Sequence, residues 1–99
     1  MLTIEEITQK LTPVFEANGV TKAILFGSYA NGTATDDSDV DIVIETEPHV
    51  RGWDFCGIIE EMRQCLDDKP VDLIPSRAIV PNGGAYMAIK EMGKVIYEK

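Results

Sequence analysis

The chain has 99 residues, the size of one small domain, and we expect residues 1–99 to form that single domain. Its net charge is -8, from 17 acidic and 9 basic residues. This charge argues against a long nucleic acid as the partner, because binding to a polyanion relies on clustered Lys and Arg. A nucleotide carried with divalent cations stays compatible with the charge, since the metal brings its own positive charge.

The two cysteines favour a reducing compartment. Cys56 and Cys65 lie in one predicted helix, nine residues apart, which separates them by about 13 Å along the axis and is too far for a disulfide. The chain has no C-x-x-C pair, so a cysteine zinc site is not expected. The N-terminus lacks the features of a signal peptide, and no apolar run has the length of a membrane span. We therefore expect a cytoplasmic protein in which both thiols are free and buried.

The first half of the chain predicts one helix and two strands. Residues 3–18 begin with the capping-box pattern T-x-x-E and continue with apolar positions at helical spacing. Pro13 lies inside this pattern and predicts that the helix kinks or is split near Leu11. The short apolar run 23–26 predicts a buried strand, and residues 39–46 predict a second strand.

The second half alternates between helix and strand. Residues 51–67 predict a long helix with one apolar face, and residues 70–75 predict a third strand between two prolines. Residues 77–84 contain the loop signal "PNGG", residues 85–92 predict a short helix, and "KVIYE" (94–98) predicts a last strand. The fold class is therefore α/β or α+β, with a small mixed sheet backed by helices.

The segment "GSYANGTATDDSDVDIVIE" (27–45) carries partial matches to three known motifs, and each fails at a required position. "GSYANG" has the glycine spacing of a P-loop, but Thr33 stands where the phosphate-binding Lys must follow. The dinucleotide pattern G-x-G-x-x-G is excluded because its second glycine is replaced by Tyr29. The acidic run lacks the central glycine of a calcium-binding loop and continues into β-branched residues, which makes that interpretation weak.

A different pattern remains, in which a Gly-Ser turn follows one strand and two aspartates open the next. Gly27 and Ser28 precede Asp39 and Asp41 by a spacer of ten residues. Because alternate residues of a strand share a face, the two carboxylates point the same way, about 6.5 Å apart. Such a pair suits two Mg²⁺ ions that promote displacement at phosphorus. Ser28 and backbone N–H groups of the turn could hold a phosphate, which the missing Cβ of Gly27 lets approach.

This arrangement resembles the minimal nucleotidyltransferases of the DNA polymerase β superfamily. Their pattern is G-S, a spacer, D-x-D, and a third acidic residue on a later strand. The resemblance extends from the first helix to the closing "GKVIYEK". The matching residues here are Gly27, Ser28, Asp39, Asp41 and Asp72. Ser38 either contacts a phosphate, orients the neighbouring aspartate, or serves only the local turn.

The resemblance implies transfer of a nucleoside monophosphate, most simply AMP from ATP, to an acceptor hydroxyl. Asp39 and Asp41 would bind two Mg²⁺ ions, with Mn²⁺ as a possible substitute. Asp72 would complete one metal site and help to deprotonate the acceptor. Small stand-alone members often pair with a helical HEPN-type protein and add AMP to its tyrosine, as the antitoxin of a two-gene system. The expected partner is therefore a HEPN-type protein or a second copy of this chain.

One departure from the family pattern keeps other functions open. Asn31 stands where many members have Arg, so it supplies no charge for a triphosphate. Lys22, Arg51 or Arg77 could replace that charge. Asn31 mildly favours a rival function, a catalytically weak antitoxin subunit that neutralises its partner by contact. A metal-dependent phosphohydrolase is a third possibility.

Overall fold

A computed structural model describes residues 2–79 and 83–99. Its elements in chain order are α1 (Ile4–Ala17), β1 (Val20–Phe26), α2 (Ser28–Asn31), β2 (Val40–Thr46), α3 (Asp54–Cys65), β3 (Val71–Pro75), a 3-10 turn (Ser76–Ala78), α4 (Gly84–Met92) and β4 (Lys94–Glu98). The strands form one sheet in the order β3-β2-β1-β4. β1 is antiparallel to β2 and β4, whereas β2 and β3 run parallel. The predicted small mixed sheet with helices is confirmed as an α+β fold.

The hydrophobic core lies between one face of the sheet and the helices α1 and α3. Three alternate residues of β2, at positions 40, 42 and 44, are fully buried in this core with apolar residues of both helices. Each such side chain stabilises the fold by roughly 1.5–3 kcal/mol. Because strand side chains alternate, the residues between them, including Asp41, belong to the opposite face. The core residues of these three elements are Val40, Ile42, Ile44, Ile7, Leu11, Val14, Phe15, Phe55, Ile58 and Met62.

Helix α1 begins as predicted but is not split. Thr3 Oγ1 accepts a hydrogen bond from Glu6 N at 3.1 Å, and Glu6 Oε1 accepts one from Thr3 N at 3.2 Å, which completes the capping box. Pro13 lies inside one continuous helix, so a break at that point is wrong. A proline in a helix interior costs about 3 kcal/mol. Burial of the neighbouring Leu11 and Phe15 offsets this cost, at roughly 1.5–3 kcal/mol each.

Two other details differ from the sequence-based expectation. The four-residue helix α2 was not predicted, because its two apolar residues are too few for a periodic pattern. Cys56 is exposed rather than buried, since it lies next to Phe55 on α3 and points away from that buried residue. Residues 80–82 of the predicted loop lie outside the described residues. Within residues 2–79 and 83–99, no helix is long and apolar enough to cross a membrane.

Candidate active site

The predicted acidic residues meet at one end of the sheet, on the face opposite to α1 and α3. Asp41 is the register partner of Asp72 in the parallel pairing of β2 and β3, which separates their Cα atoms by about 4.8 Å. Across the antiparallel pairing, Asp41 lies opposite Phe26, the last residue of β1. Gly27 follows directly, and Asp39 lies just before β2. The fold thus gathers the three aspartates and the glycine turn into one small region.

Asp41 and Gly27 are in direct contact. Gly27 has φ +74° and ψ -152°, a backbone conformation that residues with a Cβ rarely adopt. A Cβ built on Gly27 would overlap Oδ2 of Asp41. The glycine is therefore needed to accommodate a carboxylate of this chain, a reason that the sequence did not reveal.

The three carboxylates influence one another electrostatically. The pKa of Asp41 is raised above its ordinary value of 3.8, first because partial burial desolvates the carboxylate. Repulsion by Asp72 and then by Asp39 raises the pKa further. Asp41 is half-buried, whereas the other two are exposed. A cation bound here would relieve this repulsion.

The carboxylate oxygens at this site are the kind of ligand that binds a divalent cation. Across 2–79 and 83–99, no group of three His, Cys, Asp or Glu side chains is arranged to hold a metal ion by itself. Mg²⁺, however, is usually bound by one or two carboxylates, with water and substrate phosphates as the other ligands. Asp41 and Asp72 supply such a pair of hard oxygen donors, and Asp39 adjoins it. The three-carboxylate metal site stays a prediction.

The two serines predicted to contact the nucleotide have different surroundings. Ser28 is the first residue of α2 and adjoins Gly27, so the fold places it beside Asp41. Ser38 belongs to a local turn, because its Oγ accepts a hydrogen bond from Thr35 N at 2.8 Å and its N–H donates to Thr35 O at 3.0 Å. A phosphate contact stays a prediction for both serines, and the structure gives Ser38 a local role as well.

Asn31, the departure from the family pattern, is engaged in a second turn. Its Oδ1 accepts hydrogen bonds from Thr33 N at 3.0 Å and from Thr33 Oγ1 at 2.6 Å. Asn31 is exposed at the end of α2. The side chain thus closes the turn that follows α2 and carries no charge toward a nucleotide.

The three basic residues considered as substitutes for that charge lie away from the aspartates. Lys22 is near the start of β1, and its Nζ is 3.7 Å from a carboxylate oxygen of Glu98. Arg51 and Arg77 come after the C-terminal ends of β2 and β3. Asp41 is near the opposite end of β2, so the fold does not bring these three residues to it.

A different basic residue contacts the segments around the site. Nζ of Lys69 donates a hydrogen bond to the backbone carbonyl of Asp36 at 2.8 Å. The same Nζ lies 5.8 Å from the ring centroid of Tyr29, which follows Ser28 in α2. The only sequence signal for Lys69 is its position three residues before Asp72.

Comparison with known proteins identifies the class of this site. A family model described as a nucleotidyltransferase domain matches residues 3–96. The protein adenylyltransferase MntA of Thermococcus cleftensis is 35% identical over 96 residues, which cover 93% of this chain and 95% of that protein. The fold and the site therefore define a nucleotidyl-transferring enzyme. This chain belongs to the nucleotidyltransferase domain family, and the predicted resemblance to its minimal members is confirmed.

Solved structures share the fold at lower identity. One is a toxin-antitoxin complex with AMP-PNP, with a TM-score of 0.78 and 22% identity over 93% of this chain and 73% of that one. Another is a tri-AMPylated Shewanella oneidensis HEPN toxin in complex with MNT antitoxin, with a TM-score of 0.73 and 18% identity over 98% and 74% of the two chains.

Proposed function

We propose that this chain transfers AMP from ATP to a tyrosine hydroxyl of a HEPN-type partner protein in the cytoplasm and thereby acts as an antitoxin. The observation that carries the proposal is the placement of Asp41 between Asp72 and the Gly27 turn. Two similarities support it: the relative MntA is named a protein adenylyltransferase, and a chain of the same fold was solved with an AMPylated HEPN toxin.

In this mechanism each residue has a separate task. Asp39 and Asp41 would hold Mg²⁺, which when bound would neutralise phosphate charge and lower the pKa of the acceptor hydroxyl. Ser28 donates a hydrogen bond to a phosphate oxygen next to the Gly27 turn. Asp72 accepts the acceptor's proton. The acceptor oxygen forms a bond to the α-phosphorus, the bond from that phosphorus to the bridging oxygen breaks, and pyrophosphate leaves. Positioning and charge neutralisation provide the rate enhancement.

The acceptor is proposed to be a protein for reasons of charge and shape. The chain has a net charge of -8 and repels polyanions, whereas a protein partner imposes no such penalty. The sheet end with the aspartates offers one side of a cleft, and a helical partner would supply the other.

The test uses ATP labelled at the α-phosphate, Mg²⁺ and a purified HEPN-type partner. We expect label on the partner that survives denaturing electrophoresis and disappears when the partner's tyrosines are replaced by phenylalanine. Little transfer is expected from the lone chain to small alcohols. Asp41→Asn should abolish labelling, whereas Glu45→Gln, the same charge change near the other end of β2, should retain it. Efficient release of free AMP without labelling of any protein would contradict the proposal.

The contact-only antitoxin is the second candidate, and Asn31 is the observation that favours it. Its side chain is committed to Thr33 and provides no charge for a triphosphate. If Asp41→Asn neutralises the partner as well as the unmodified chain does, contact alone explains the antitoxin effect. If neutralisation needs ATP and Asp41, transfer explains it.

A further inference from the structure

Lys69 contacts two segments that adjoin residues of the candidate active site in sequence: one precedes Asp39, and the other follows Ser28. We propose that Lys69 is a positioning residue, which restrains the loop 32–39 so that Asp39 stays beside the pair formed by Asp41 and Asp72. The inference rests on the proposed function only in assuming that these carboxylates act together.

The first contact joins distant parts of the chain. The hydrogen bond from Lys69 Nζ to Asp36 O spans 33 positions and ends three residues before Asp39. Most other hydrogen bonds of this loop are short-range: Thr35 N donates to Ser38 Oγ at 2.8 Å, and Ser38 N donates to Thr35 O at 3.0 Å. These bonds shape the turn, and the bond from Lys69 ties it to the segment that precedes β3.

The second contact fixes the ammonium group itself. Nζ of Lys69 lies 5.8 Å from the ring centroid of Tyr29, within the range of a cation–π interaction. Tyr29 is 5% exposed and belongs to the hydrophobic core, so its ring is a rigid platform. Ser28 precedes it directly, and thus the same lysine adjoins the helix that carries the proposed phosphate contact.

Hydrogen bonds tie the backbone on both sides of Lys69 to neighbouring elements. Asp67 and Asp68 have φ of +56° and +62°, a left-handed conformation that is costly for residues other than glycine and persists where the surroundings fix it. Asp68 N donates to Arg63 O at 2.7 Å at the end of α3. Immediately after Lys69, Pro70 O accepts a hydrogen bond from Val40 N at 2.9 Å, where the pairing of β2 with β3 begins.

A restraint on Asp39 is needed because its neighbours repel it. Asp39 is exposed and lies outside β2, so the sheet's hydrogen bonds do not hold it. Asp41 and Asp72 carry the same negative charge as Asp39, and this repulsion favours a loop conformation that carries Asp39 away. The bond from Lys69 opposes that movement before any cation is bound.

The test compares Lys69→Met with Lys10→Met, in the lone chain without ATP or partner. Both changes remove one positive charge, and Lys10 is an exposed residue of α1. Hydrogen exchange of the amides in 33–39 should accelerate about three- to tenfold in Lys69→Met, the effect of one lost hydrogen bond. The Mn²⁺ concentration that gives half of the metal-induced rise in melting temperature should increase about three- to tenfold as well. Lys69→Arg, which keeps a charged donor, should restore both values.

The inference is overturned if Lys69→Met behaves as Lys10→Met does in either measurement. If Lys69→Met does not fold, Lys69→Gln takes its place under the same criterion. Because neither measurement involves nucleotide transfer, they distinguish this inference from the proposed function. Absence of AMP transfer by the unmodified chain would refute the proposed function and leave the role of Lys69 to be decided by exchange and Mn²⁺ binding.

Discussion

Oδ2 of Asp41 lies in the space that a side chain on Gly27 would require. The contact joins the end of β1 to the start of β2, two points that the antiparallel register already places side by side. The glycine therefore matters to the position of a carboxylate and not only to the approach of a phosphate. This relationship makes the site sensitive to a change as small as one methyl group.

Gly27→Ala should therefore remove transfer activity and destabilise the protein. The added methyl group would displace the Asp41 carboxylate, and the positive φ would be strained. Gly32→Ala is the control, since Gly32 also has a positive φ of +83° but nothing lies within 4 Å of its added Cβ. The control should lose roughly 1–2 kcal/mol of stability and keep its activity when folded. Thermal unfolding and labelled-ATP transfer measure both effects, and equal transfer by the two variants would contradict the prediction.

The raised pKa of Asp41 predicts how stability depends on pH in the absence of metal. The folded state holds the Asp41 proton more tightly than the unfolded state does, so protonated Asp41 stabilises the fold. This stabilisation is complete below pH 3.8 and is lost as pH rises through the folded-state pKa. The Asp41→Asn variant has no carboxyl group at this position, so its stability should not fall in this way as pH rises. The variant should be more stable than the unmodified chain at neutral pH, and the difference should vanish toward pH 3.8. Denaturant unfolding measured in chelator across this range gives the comparison. An Asn variant that is less stable at neutral pH would refute it.

With metal present, the charged form of Asp41 should stabilise the protein instead of destabilising it. Mg²⁺ or Mn²⁺ should raise the melting temperature of the unmodified chain, because a bound cation relieves repulsion among Asp39, Asp41 and Asp72. Asp41→Asn should abolish most of that rise. Glu45→Gln, on the same strand, should keep it. A full metal response in Asp41→Asn would remove this residue from the metal site.

Ser28→Ala separates phosphate binding from metal binding. The lost hydrogen bond is to a charged group and is worth roughly 1.5–3 kcal/mol, which predicts transfer slowed about ten- to a hundredfold. All three carboxylates remain, so the metal-induced rise in melting temperature should persist. Transfer rates and melting curves from one preparation test both statements. Normal transfer by Ser28→Ala would mean that the phosphate is held elsewhere.

Local patterns in the sequence were sufficient to predict the types of the longer elements. The apolar periodicity of α1 and α3 specified which faces are buried, and the capping box specified where α1 begins. The predicted split near Pro13 is wrong because the local cost of the proline is outweighed by burial of its neighbours in a core that forms only with the tertiary structure. The short helix α2 left no periodic pattern at all.

The site was predictable to the extent that it depends on strand alternation. Their spacing predicts that Asp39 and Asp41 share a face of one strand, but β2 begins at Val40 and Asp39 lies in the loop before it. Asp41 and Asp72 are neighbours because β2 pairs with β3 in parallel. The spacing of residues along the sequence does not predict that pairing. Lys69 contacts Asp36 across 33 positions, so no local pattern indicates its role.

The parallel pairing of β2 and β3 has an evolutionary consequence. The separation of Asp41 and Asp72 is set by main-chain hydrogen bonds between two strands, which form with almost any side chains. The apolar residues on the opposite face can therefore be exchanged through many substitutions without changing the distance between these carboxylates. Structures that are only 18–22% identical to this chain keep its fold with TM-scores of 0.73 and 0.78, as expected if the backbone geometry persists while the packing residues diverge.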